Sequence, residues 1–143
     1  MTRSISFVIL CSLLVCLGCS QGPKIAQVEG TLTLDGTPLK GIQVEFLPEL
    51  GPRSIGETDA QGHFTLTTDD GKQKGAAVGS HRVVLRDVGI LGDKFMGRAG
   101  EEVDMTAGRK SLLPQVYTSI KATPLMAQVE SGKKNEIKLE IKP

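Results

Sequence analysis

The sequence contains few of the residues from which catalytic, metal and sugar sites are usually built. It has no tryptophan, one tyrosine and four phenylalanines, so few aromatic rings are available to stack on a ligand. Its two histidines, His63 and His81, restrict the ways of assembling a metal centre or a nucleophile-activating base. No cysteine follows Cys19, so disulfides cannot stabilise the rest of the chain, which must depend on its own hydrophobic core.

The sequence also lacks long runs of one charge. No run of like charges exceeds two residues, and the formal net charge is only +1. Arg3 accounts for that charge, because basic and acidic residues are equal in number after residue 18. A neutral chain without basic clusters is a poor match for a polyanion. We therefore expect neither nucleic acid nor a polybasic membrane contact among its partners.

Residues 1–18 differ in composition from everything that follows. Arg3 precedes an apolar stretch, residues 5–17, which only two serines interrupt. As a helix this stretch would be about 20 Å long, short of the roughly 30 Å hydrocarbon core of a bilayer. It has no amphipathic pattern, which disfavours a helix in a protein core. Its length and position predict a secretory signal peptide, so we expect the chain to be exported.

The end of this segment resembles the lipobox of bacterial lipoproteins. In that motif a small residue precedes a lipid-modified cysteine, as Gly18 precedes Cys19 here, although Cys16 and Leu17 depart from the usual leucine and small residue. The resemblance implies signal cleavage between Gly18 and Cys19, diacylglycerol on the Cys19 thiol, and often a third chain such as palmitate. Two or three acyl chains hold a protein firmly on a membrane. We expect residues 19–24 to be a short lipidated tether, with the membrane of the cell envelope as partner and the domain on its extracytoplasmic side.

From residue 25 the apolar residues recur with a period of two, as in half-buried β-strands. The pattern predicts strands at residues 25–34, 42–47, 63–68, 80–88, 125–130 and 136–142. Parity places Phe46, Phe64 and His81 on inward faces. It places Glu45, His63 and Val84 on outward faces. About seven short strands, with turn signals every 8 to 12 residues, predict an all-β domain and a β-sandwich over residues 25–143.

Residues 89–114 are the exception, because they are glycine-rich and carry no clear period. Phe95, Met96, Val103 and Met105 would suit one short helix, but a long excursion at one end of the sandwich fits the segment better. Loops longer than about 15 residues are uncommon unless they are functional or disordered. This excursion is the leading candidate for ligand or partner specificity.

Four segments, residues 28–39, 41–46, 56–64 and 78–85, resemble the carboxypeptidase regulatory-like domains, whose fold is similar to transthyretin. The lipobox, these segments and residues 113–117 and 123–125, in that order, are similar to small lipoproteins of planctomycete bacteria. The resemblance implies a seven-stranded Greek-key β-sandwich of the transthyretin (prealbumin) type. It also implies an accessory or binding module rather than an enzyme, because the matching glycines and prolines shape turns and carry no chemistry.

None of the candidate metal-binding or phosphate-binding motifs has the residues or spacing that such a site requires. The two histidines lie near Asp59, Asp69 and Asp70 in sequence, but strand parity separates their faces, so no metal site is expected. The motif Asp69-Asp70-Gly71 lacks the ligand spacing of a calcium loop. Residues 75–79 lack the Gly-Lys-Ser/Thr of a phosphate loop. No metal and no cofactor are predicted.

Catalysis is not predicted either. The serines at positions 54, 80, 111, 119 and 131 stand in no recognisable nucleophile motif, although a triad assembled only in space would escape this reading. Hydroxyisourate hydrolases have a similar fold but end in Tyr-Arg-Gly-Ser, whereas this chain ends in Ile141-Lys142-Pro143. Two hypotheses remain: a structural or protein-interaction module with an unknown envelope partner, or a small-molecule or glycan-binding module that uses residues 89–114.

Overall fold

The structure is a computed structural model that describes residues 22–88, 94–96, 102–104 and 110–143. These residues form an all-β fold of several sheets. The strands are β1 (Ile25–Ala26), β2 (Val28–Leu34), β3 (Thr37–Pro38), β4 (Ile42–Pro48), β5 (Ser54–Glu57), β6 (His63–Thr65), β7 (Thr67–Thr68), β8 (Ala76–Ala77), β9 (Gly79–Asp87), β10 (Lys94–Met96), β11 (Glu102–Asp104), β12 (Met126–Val129) and β13 (Asn135–Ile141). A 3-10 helix covers Gln115–Thr118.

Two larger sheets form the body of the domain. The five-stranded sheet has the order β12-β9-β4-β5-β7, and each of its pairs is antiparallel. In the second sheet, β2 lies between β13 on one side and β3 and β6 on the other. The β2–β13 pair is parallel, with Val28 opposite Asn135 and Leu34 opposite Ile141. Two further ribbons, β1–β8 and β10–β11, are antiparallel.

One hydrophobic core lies between the two larger sheets. The apolar positions of β4 and β9 and those of β2 and β13 belong to the same buried cluster. The rings of Phe46 and Phe64, one from each sheet, have centroids 6.3 Å apart. The two sheets therefore pack with one face of each against the other, which is consistent with a β-sandwich. The all-β prediction and the inward positions of Phe46, Phe64 and His81 are confirmed.

Strand β5 was not predicted from the sequence. Its four residues, Ser54–Glu57, show no alternation that a period of two would reveal. Gly56 interrupts the pattern because a β-carbon there would collide with the backbone oxygen of Thr65. A close backbone approach therefore selects glycine where a strand former would otherwise be expected. Within the predicted excursion, Phe95 and Met96 lie in β10 and Val103 lies in β11, so the less favoured alternative of one short helix is wrong for these residues.

Two residues predicted to face outward are buried. Glu45 is only 4% exposed and Val84 only 1% exposed. They are cross-strand partners in the middle of the five-stranded sheet, and Ile55 flanks Glu45 on its other side. The Glu45 carboxylate accepts a hydrogen bond from Nε of Arg86 at 2.5 Å. Both residues lie outside the core cluster, so the predicted face holds but the expected exposure was wrong, because alternation gives the face of a side chain and not what shields that face.

The strand directions define two ends of the domain. The tether-side end is where the described chain begins, and it contains Val28, Asn135 and Gly79, the first residues of β2, β13 and β9. The distal end contains Leu34, Ile141 and Asp87, the last residues of the same strands. Val88, which follows β9 and is the last described residue before position 89, therefore lies at the distal end, where its N–H donates a hydrogen bond to the carbonyl oxygen of Gly41.

Candidate functional site

The predicted lipidation and cleavage residues, Cys19 and Gly18, lie outside the described residues. The chain is described from Gly22, and the first strand begins at Ile25. Most of the predicted excursion, residues 89–114, also lies outside them. In its last part, Leu113 is buried in the core.

The tether joins the domain where three segments meet. The N–H of Val78 donates a hydrogen bond to the carbonyl oxygen of Lys24 at 2.8 Å, and Ile25 pairs with Ala77. A β-carbon added at Gly51 would lie 3.0 Å from Cγ of Pro23 and 3.2 Å from Cβ of Ala77. The last tether residues are therefore held against the β4–β5 loop and the start of β9.

His63 is on the surface, as strand parity predicted. Its backbone N–H donates to Oδ1 of Asp59 at 2.9 Å, and its ring Nδ1 lies 4.0 Å from Oδ2 of the same residue. The N–H of Gln61 donates to the same Oδ1 at 2.9 Å. The pKa of Asp59 is lowered chiefly by the hydrogen bond from the His63 backbone. Together these contacts form a turn that joins β5 to β6.

His81 is buried in the core. Its Nε2 lies 2.6 Å from the carbonyl oxygen of Ala77, so Nε2 carries the proton and donates it. Its ring packs 5.4 Å from the ring of Phe46, and Nδ1 has no hydrogen-bond partner among the described residues. Burial lowers the pKa of His81, opposed by the hydrogen bond to Ala77. The imidazole is therefore neutral at neutral pH.

This environment predicts a pH dependence of stability. Because the pKa of His81 is lower in the folded protein than the usual 6.5, the unfolded chain binds more protons between those two values. The free energy of unfolding should therefore fall as the pH drops below about 6.5. Urea unfolding at pH 7.5 and pH 5.5 measures this difference.

The matched variants are His81→Gln and His63→Gln. Glutamine at position 81 keeps a donor for Ala77 but does not titrate, so the loss of stability on acidification should shrink. At position 63 the same change removes an exposed histidine. This variant should lose as much free energy of unfolding on acidification as the wild type does. Equal pH dependence in wild type and His81→Gln would show that the buried imidazole is not responsible.

Asp69 and Asp70 form a polar loop next to β7. Asp69 makes an ion pair with Nε of Arg53 at 2.8 Å. Asp70 accepts hydrogen bonds from the Thr68 hydroxyl at 2.6 Å and from the Lys72 backbone at 3.1 Å. The Thr68 hydroxyl is the main cause of the lowered pKa of Asp70. In the part of the chain that the structure describes, no three His, Cys, Asp or Glu side chains converge as metal ligands.

Two adjoining surface depressions lie on the outer side of β2 and β6. The smaller, about 240 Å³, is bordered by Gln27, Glu29, Thr65, Lys74 and Lys134 among others. The larger, about 320 Å³, shares Glu29 and Thr65 and adds His63 and Glu136. The Lys134 ammonium lies 2.7 Å from a Glu29 oxygen, so these two charges already satisfy each other. Both depressions are at or below the usual lower size of a ligand pocket.

In the described residues, no histidine is hydrogen-bonded to the serines considered above. Ser54 is buried and its hydroxyl has no hydrogen-bond partner among these residues, and Ser80 donates to Gln128 at 2.7 Å on the surface. The Ser111 hydroxyl accepts from the N–H of Leu113 at 3.1 Å. Phe46 and Phe64 are buried, and the Tyr117 hydroxyl accepts from the N–H of Lys142 at 3.2 Å.

Comparison with known proteins places the chain in no family. No family model, no curated protein and no solved structure matches it. In the described residues there is no helix long and apolar enough to cross a membrane.

Proposed function

We propose that this chain is a lipoprotein of the bacterial cell envelope, anchored through lipid on Cys19, whose β-domain is a non-catalytic structural or protein-interaction module. In this proposal residues 1–18 are a signal peptide and the domain is a Greek-key sandwich of the carboxypeptidase regulatory-like, transthyretin-like type. The observation that carries the proposal is the sequence of residues 5–19, a short apolar segment followed by Gly18 and Cys19.

The described geometry supports this proposal in two ways. The domain begins at Ile25, six residues after Cys19, so a lipid on that cysteine would hold it close to the bilayer. The strand directions put Asp87 at the end opposite the tether. A domain anchored in this way turns its distal end away from the membrane, where a partner protein can reach it.

Lipidation is tested by replacing Cys19 with alanine. Wild-type protein from the membrane fraction should lack residues 1–18 and carry the added mass of acyl chains. Cys19→Ala should retain residues 1–18 and carry no lipid, because neither modification nor cleavage can proceed without the thiol. Intact-mass measurement of fractionated cells gives both results.

Cys16→Ala is the matched control, since it removes a thiol three residues away within the predicted signal peptide. It should be processed and lipidated like the wild type. Unmodified full-length wild-type protein in the soluble fraction would show that the anchoring proposal is wrong. The interaction role is tested separately by a pull-down from detergent-solubilised membranes, in which one specific protein should remain bound.

An alternative function is small-molecule or glycan binding through residues 89–114. The position of Val88, the last described residue before this segment, at the distal end favours it, because loops grouped at one end of a sandwich often bind ligands. Glycan-array and thermal-shift screens with sugars and metal ions test it. An unchanged melting temperature across the ligands would contradict the alternative and leave the interaction module.

A further inference from the structure

We propose that the tether-side surface, defined as Pro23, Lys24, Leu50 and Val78, lies on the lipid bilayer, with Leu50 inserted among the lipid headgroups. The inference rests on the proposed lipidation of Cys19 and adds an orientation to it. A lipid anchor alone fixes only the distance of a domain from the membrane. A second contact also fixes which face of the domain is turned toward it.

The first observation is an exposed apolar loop. Leu50 lies between β4 and β5 and is 84% exposed, the most exposed large hydrophobic side chain in the described residues. Val78, at the start of β9, is 37% exposed. Leu50 is followed by Gly51 with a φ of 109°, a conformation that favours glycine and holds the loop in a tight turn. A leucine presented on such a turn has no partner within the described part of the domain.

The second observation is that this loop packs against the tether itself. Gly51 approaches Pro23 so closely that an added β-carbon would lie 3.0 Å from Cγ of the proline. Val78 is hydrogen-bonded to Lys24 at 2.8 Å. The exposed leucine and valine therefore flank the point at which the chain leaves the domain toward Cys19.

The third observation is the length of the chain between the anchor and this surface. Pro23 is the fourth residue after Cys19, and four fully extended residue steps span at most about 14 Å. The tether-side surface is therefore confined to the headgroup region and the water layer next to it. An apolar side chain held there is buried by a shift of only a few ångströms, since interfacial side chains sit about 5–10 Å into this boundary.

The surrounding charges are compatible with this orientation. Arg53 and Lys72 are paired with Asp69 and Asp70. Lys24 is exposed and, in the described parts of the chain, makes no ion pair. Glu49, the exposed residue before Leu50, and Lys74, exposed near β8, also make no ion pair in the described residues. Two available ammonium groups beside one carboxylate suit anionic phospholipids without the strong attraction of a polybasic segment.

The experiment uses the lipidated full-length protein in vesicles of phosphatidylcholine with a minor fraction of phosphatidylglycerol. After signal cleavage and lipidation of Cys19 the chain has no free thiol, so Leu50→Cys introduces a unique site for a polarity-sensitive fluorophore. Ala60→Cys, in the exposed turn before β6 at the distal end, is the matched control. Emission is measured in detergent-free vesicles with and without nitroxide-labelled lipid, and intact mass and flotation confirm anchoring.

The label at position 50 should emit at shorter wavelength and be quenched by the nitroxide lipid. The label at position 60 should show neither effect. If the protein floats with the vesicles and carries lipid, but both labels behave as in water, the orientation is wrong while the anchoring stands. If Cys19 carries no lipid, both proposals fail. If position 50 is shielded in native membranes but not in protein-free vesicles, a protein covers this surface and the bilayer contact is wrong.

Discussion

Alanine in place of Gly30 is expected to lower the free energy of unfolding by about 3 kcal/mol or more, because it overpacks a rigid part of the core. The added β-carbon would collide with the backbone oxygen of Ile137 and lie 2.6 Å from Cζ of Phe64. The first contact is with a backbone atom held by the β2–β13 pairing, and the second is with a buried ring. Neither neighbour can move without disturbing one of the two sheets.

Urea unfolding followed by circular dichroism measures this effect. Gly22→Ala is the control, because a β-carbon at position 22 meets nothing within 4 Å and the residue precedes the first strand. The control should unfold at the wild-type urea concentration. Wild-type stability in Gly30→Ala would mean that β13 and Phe64 do not approach β2 as closely as described.

Alanine in place of Asn135 is expected to cost about 3 kcal/mol, since it removes about three partly buried hydrogen bonds of about 1 kcal/mol each. The side-chain oxygen accepts from the N–H of Glu130 at 2.9 Å. The two N–H groups of the side-chain nitrogen are shared among three carbonyl oxygens, at 3.1 Å from Gln27, 3.1 Å from Glu130 and 3.2 Å from Lys133. One amide therefore joins the β12–β13 turn to the segment that leads into β2.

Three variants separate these contributions. Asn135→Ala removes every side-chain hydrogen bond, whereas Asn135→Asp keeps the acceptor for Glu130 but sets a carboxylate oxygen against carbonyl oxygens, so it should be no more stable than Asn135→Ala. Ser131→Ala changes an exposed residue of the same turn and should be neutral within about 0.5 kcal/mol. Equal stability of Asn135→Ala and Ser131→Ala would show that the Asn135 amide does not stabilise the contact between the β12–β13 turn and the segment before β2.

Much of the strand pattern was predictable because burial alternates along the longer strands. β13 is the clearest case, with Leu139 and Ile141 buried and Glu136, Lys138 and Glu140 exposed. The same alternation placed both histidines on the correct faces. Alternation did not reveal β5, because close packing of backbones selects Gly56 there. It also did not predict the burial of Glu45, which neighbouring strands shield.

The polar contacts that shape the candidate sites were not predictable in this way. The Glu45–Arg86 pair joins residues 41 positions apart, and the Asn135–Gln27 bond joins residues 108 apart. A local pattern has no information about such contacts, because they depend on which strands become neighbours. The tether-side surface was unpredictable for the same reason. Pro23, Gly51 and Ala77 come together only after the sheets have formed.

The parallel pairing of β2 with β13 has a consequence for when the domain can fold. Val28–Leu34, the first long strand, takes its neighbour from Asn135–Ile141, near the C-terminal end of the described chain. Until that segment has been synthesised, one edge of β2 stays unpaired and the core lacks Leu139 and Ile141. Contacts between residues so distant in sequence form slowly. A nascent chain of this protein would therefore stay unfolded until residues 135–141 have been synthesised, and an unfolded chain is what the proposed export through a narrow channel requires.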